Sequence, residues 1–122
     1  MDVIEVDERD STWEDPRPRF RVYVQRPDGD VFATETTDLL EADVLQAVDW
    51  AQRRAAEHEG ALWSLALVSD DRRGLRGLTW LVGSDANDPP EDDLDVDRRA
   101  RMRARRADPV VVPIEDRAPA DS

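Results

Sequence analysis

Apolar and polar positions along residues 20–82 follow three successive patterns. Over residues 20–25 they alternate strictly. Phe20, Val22 and Val24 point one way, and Arg21, Tyr23 and Gln25 the other, the period of a strand. Pro27-Asp28-Gly29-Asp30 reads as a turn, because Pro27 pre-sets its φ and Gly29 tolerates a positive one. Val31-Phe32-Ala33-Thr34-Glu35-Thr36 follows the turn, and the two runs together predict a β-hairpin. The spacing then lengthens. Val44, Val48, Ala51 and Ala55 recur at helical intervals, and Leu45 and Ala47 widen the stripe. A helix over 39–59 is expected. Asp38 would cap it, with Glu41 at the capping-box position and Gly60 just past its end. Residues 61–69 are apolar on both faces: Trp63, Leu65 and Leu67 on one, Leu62, Ala66 and Val68 on the other. A strand of that kind belongs in the middle of a sheet. Residues 70–74 form a hairpin loop, and 75–82 complete a second hairpin with Leu78, Trp80 and Val82 on one side.

The order β-β-α-β-β defines an α+β fold. With the third strand central, the simplest sheet is four-stranded and antiparallel, in order 2-1-3-4, with one long helix on one face. The order 1-2-3-4 would require a parallel pair between the second and third strands. One sheet face then lacks a helix. Being half apolar, it needs a cover: a twin subunit, another protein, or the chain's own ends.

Outside residues 19–84 the periodicity is lost. Residues 1–18 are acidic and close on Asp15-Pro16-Arg17-Pro18, which blocks regular pairing, so a disordered arm is expected. Residues 85–97 hold seven acids and no base, whereas 98–107 hold six arginines and no acid. Such a segment suits the helix macrodipole. Asp88 would cap it, with Pro89 and Glu91 in its first turn. Asp95–Arg99 and Asp97–Arg101 are favourable i,i+4 pairs. Only Leu94, Val96 and Met102 are sizeable apolar residues there, so the helix is expected to be only partly formed. Pro109 ends it. The β-prone stretch 110–114 lies within an expected disordered tail, 108–122.

Charge and composition narrow the function. The 122 residues carry a net charge of −12, which repels nucleic acid and anionic membrane at long range and attracts basic partners. There is no cysteine, hence no disulfide and no thiolate chemistry. The start of the chain lacks the basic and apolar regions of a secretory signal, and no apolar run is long enough to span a membrane. A cytoplasmic location is the expectation. All seventeen basic residues are arginine.

Few positions suggest chemistry. Arg98, Arg99, Arg101, Arg103, Arg105 and Arg106 make a phosphate-binding patch if unopposed, or a neutralised helix if the preceding acids claim them. No aromatic residue interleaves them for base stacking. The acids of 85–93 lack the glycine and ligand spacing of a calcium loop. His58 is the sole histidine, so no second one completes a metal site or triad. Nucleophile and phosphate-loop motifs are absent. No catalytic, cofactor-binding or metal-binding residue is nominated, and no cofactor is expected. Trp50, Trp63 and Trp80 join the six arginines as candidate interaction residues, although core packing also accounts for them. The expected function is a non-enzymatic module that binds another protein or itself. Two alternatives are an acidic nucleic-acid mimic that inhibits a basic protein, and a nucleic-acid accessory protein using the arginine block. Nucleic-acid binding by the whole chain is expected to be weak at most.

Overall fold

The computed structural model describes residues 1–120. Its sheet has four antiparallel strands: β1 (Arg19–Asp28), β2 (Val31–Leu39), β3 (Leu62–Asp70) and β4 (Arg76–Val82). Their order is β2-β1-β3-β4, antiparallel throughout. Gly29 turns the first hairpin at φ 63°. Register puts Phe20, Val22 and Val24 opposite Leu67, Leu65 and Trp63. These residues share one face, with α1 (Val44–Ala56) packed on it through Ala47, Val48, Ala51 and Ala55. β3 is central and buried on both faces, the burial its two-sided apolar pattern requires.

Three sequence expectations are corrected. The first helix begins at Val44, not near Leu39, and ends at Ala56. Asp38 belongs to β2, where Arg19 and Arg21 hold it, so it does not cap the helix. Glu41 instead takes a turn conformation at φ 56°. The cap is Asp43, whose carboxylate accepts from Gln46 N at 2.8 Å while Gln46 Oε1 accepts from Asp43 N at 3.1 Å. Sequence holds two overlapping cap signals here, and the strand pairing of Asp38 selects the second.

The second correction lies in β4. Leu65 pairs with Val82 but Ala66 pairs with Trp80, so Leu81 is an extra residue in the ladder. The bulge turns Val82 toward the α1 side, where it packs with the main core. Leu78 and Trp80 stay on the opposite face, so the three residues do not share a side.

The third concerns the polar C-terminal region. Helix α2 spans Asp93–Ala107, and its cap is Asp92, which accepts from Asp95 N at 2.9 Å, rather than Asp88. Met102 is 1% exposed and clusters with Leu62 and Ala86, with Phe32 alongside. Leu62 and Trp63 are consecutive strand residues and face opposite ways. Helix α2 therefore covers the sheet face that α1 leaves bare, at the Leu62 end. One large apolar side chain suffices to seat it, where the sequence count of three suggested too little to pack.

Buried Gln25 secures the connection to α2. Its Nε2 donates to Asp85 Oδ1 at 2.8 Å, and its Oε1 accepts from Ala86 N at 2.9 Å. Asn87 ties the same loop to the β2 edge through the N–H and C=O of Phe32. The chain after α2 is not a free tail over its described part. Val112 is buried in the main core, and residues 110–118 run against α1. The last two residues of the expected tail lie outside the described residues. Residues 1–17 are exposed throughout, including the short turn Glu8–Asp10.

Candidate functional site

The arginine block does not form one patch. Arg99 turns toward the loop before α2 and donates from Nη2 to the carbonyls of Asp85 at 3.1 Å and Asp88 at 2.7 Å. The expected Asp95–Arg99 pair gives way to these backbone contacts, and Asp95 accepts from Glu91 N instead. Arg101 does pair with Asp97, at 3.3 Å. Arg98 borders a hollow with Trp80 and the acidic loop. Arg99, Arg103 and Arg106 together line another, beside Phe32 and Leu62. Arg105 and Arg106 face a third region, toward α1. Helical spacing thus puts Arg99, Arg103 and Arg106 on one face and Arg98, Arg101 and Arg105 on another.

That third region is a cleft of about 700 Å³ between the end of α1, the start of β3 and the chain leaving α2. Ala55, Ala61, Trp63 and Val112 supply apolar, buried lining. Arg53, Arg105, Arg106 and Arg117 supply four guanidinium groups, against the single carboxylate of Asp49. Asp49 is already engaged: its Oδ2 accepts from Arg53 Nε and from Ala118 N, both at 3.0 Å. His58 also lines the cleft, and its Nε2 is buried with no hydrogen-bond partner. A side chain at Gly60, whose φ is 73°, would place Cβ 3.3 Å from Arg106 Nη1 and 3.1 Å from Pro27 Cγ. The glycine makes room for the arginine.

The docked segment forms one wall. Gln52 Nε2 donates to Val110 O at 2.9 Å, and Val110 N donates back to Gln52 Oε1 at 2.8 Å. Arg117 Nε donates to Val112 O at 2.9 Å. Sequence reasoning missed Gln52, Asp49 and Val112. Their signal was faint: a polar residue beside the apolar stripe of α1, and an apolar triplet after Pro109.

On the other sheet face, α2 and its loop cover the Leu62 end only. Toward the opposite end Tyr23 and Trp80 pack with ring centroids 5.0 Å apart, both half-buried. Leu78, 39% exposed, lies across from Val68. Ion pairs rim this patch. Asp38 accepts from Arg19 Nε and Arg21 Nε, each at 2.6 Å, and Asp70 accepts from Arg76 at 3.0 Å. The Arg21 hydrogen bond, with help from Arg19, overrides partial burial and holds the Asp38 carboxyl at about 2. Arg21 is raised in turn by the same bond.

The tryptophans divide accordingly. Trp80 lies on the open patch. Trp63 is a core residue that meets the cleft. Trp50 packs half-buried against the main core. Trp13 is exposed in the arm. Among the described residues, no group of three or more His, Cys, Asp or Glu side chains is placed to hold a metal ion. No helix among them is long and apolar enough to cross a membrane. Comparison with family models, curated proteins and solved structures finds no match.

Proposed function

We propose that this chain is a non-enzymatic module that binds another protein, or a second copy of itself, through the open end of the sheet. The observation that carries this is the Tyr23–Trp80 pair beside exposed Leu78, on a face that α2 covers only in part. An apolar centre with an aromatic pair and a charged rim is the anatomy of an interface. β4 is also an edge strand, paired among the described residues with β3 alone. The split of the arginines between two helix faces, with Arg99 and Arg101 engaged within the chain, supports ranking nucleic acid behind protein as a partner.

Sedimentation of the full chain tests the self-pairing form. Mass should rise with concentration and persist at about 1 M salt, where charges are screened beyond about 3 Å. Leu78→Glu should return the chain to monomer. Association lost at high salt and unaffected by Leu78→Glu would instead mean that copies pair by charge, arginines of 98–106 on one against the acidic residues of 1–18 and 85–97 on another, and would contradict docking through the sheet face.

A further inference from the structure

We infer that the cleft between α1, β3 and the chain after α2 is a binding site for a small organic anion, one with an oxyanion head and an apolar body. It is separate from the open sheet patch, and nothing in it depends on that patch binding protein.

Size and composition come first. About 700 Å³ lies within the range of small-molecule sites, which are apolar with a few convergent polar groups. Here the apolar part is Val110 and Val111, exposed on the docked segment, over the buried Trp63, Ala61 and Val112. The polar part is arginine. A chain of net charge −12 gathers four guanidinium groups and one carboxylate around this hollow. Arg53 and Asp49 largely satisfy each other, and Arg117 is bonded to Val112 O. Arg105 and Arg106 are different. Among the described residues neither makes a hydrogen bond or an ion pair, although seven acids stand in residues 85–97 just before their helix. The helix turns both away from those acids and toward the cleft.

Both helices end near this point, and their C-terminal dipoles oppose an anion. Two adjacent arginines outweigh half-charges, and guanidinium forks match carboxylate or phosphate oxygens in pairs. The buried, unpartnered Nε2 of His58 supplies a further polar contact in the same lining. An inorganic ion would leave the apolar side at Val110 and Val111 unfilled, and a neutral apolar molecule would leave Arg105 and Arg106 unpaired. A ligand with both parts satisfies both.

The test uses the full chain with octanoate, 1-octanol and inorganic phosphate as probes. Amide spectra and thermal unfolding are the readouts. Octanoate should saturate, raise Tm, and shift the amides of Ala61, Val110 and Val112. Octanol and phosphate should bind at least about tenfold more weakly, about 1.4 kcal/mol. Arg105→Glu with Arg106→Glu should lower octanoate affinity by about tenfold or more while the unliganded amide spectrum keeps its dispersion. If that double variant fails to fold, Arg106→Gln alone should weaken octanoate and leave octanol unchanged. No response to octanoate overturns the assignment, as does equal binding of octanol, of phosphate, or by the folded charge-reversed variant.

Discussion

Gln52 and Val110 exchange two hydrogen bonds, so a helix side chain acts on the incoming backbone as a neighbouring strand would. The chain is held there without a fifth strand, and Val112 reaches the core two residues later. Gln52→Ala should cost about 0.5–1.5 kcal/mol, since Val110 is solvent-accessible once released. Val112→Asp should cost more, because it puts a carboxylate among Trp63, Ala51 and their neighbours. Trypsin should cut after Arg117 faster in both variants. Unchanged cleavage would show that the segment is not held this way.

Met102 seats α2. Met102→Ala should destabilise by about 2–5 kcal/mol, whereas exposed Arg103→Ala should change stability by less than about 0.5 kcal/mol. Urea denaturation measures both. The reverse ranking would mean that α2 is not packed on Leu62.

Gln25 is fully buried with both ends of its amide engaged. Gln25→Ala leaves the Ala86 N–H without its acceptor and opens a gap beneath the loop. A loss of about 1–3 kcal/mol is expected in the same assay. A neutral result would place the loop elsewhere.

Asp38 ties stability to acid pH. Its carboxyl is depressed in the folded chain from an ordinary 3.8 to about 2. A depressed carboxyl contributes stability above its unfolded value and loses it as pH falls through the folded one. Between pH 3.8 and about 2 the wild type should therefore lose more stability than Asp38→Asn. The difference should be about 1–2 kcal/mol after screening at half-exposed Arg19. Equal slopes in acid denaturation curves would remove Asp38 from the account of stability.

Strand order was legible because the period-two alternation of residues 20–25 and the two-faced run after Gly60 are local signals that agree with the tertiary structure. The bulge at Leu81 was not, since no residue type marks it and only pairing to Leu65 and Ala66 reveals it. The helix start was misplaced because Asp38 and Asp43 both fit a cap, and the choice rests on ion pairs with residues 19 and 21, far away in sequence. The second layer was hidden for a related reason. A helix with one buried methionine carries almost no periodic signal, and its seat is made by Leu62, Gln25 and Phe32 from three strands. The arginines were found as a block, but their division among separate hollows follows from α2's rotation about its axis, which Met102 fixes.

Both the cleft and the half-covered sheet face depend on residues 85–118 staying docked. Three amides report this directly: Ala86 N donates to Gln25, Val110 N to Gln52 and Ala118 N to Asp49. Hydrogen exchange of the full chain should show all three protected relative to the exposed amides of residues 2–6, with Ala86 the slowest because it alone is buried. Exchange of Val110 and Ala118 at the rate of the N-terminal arm would contradict a docked C-terminal segment and dissolve the cleft with it.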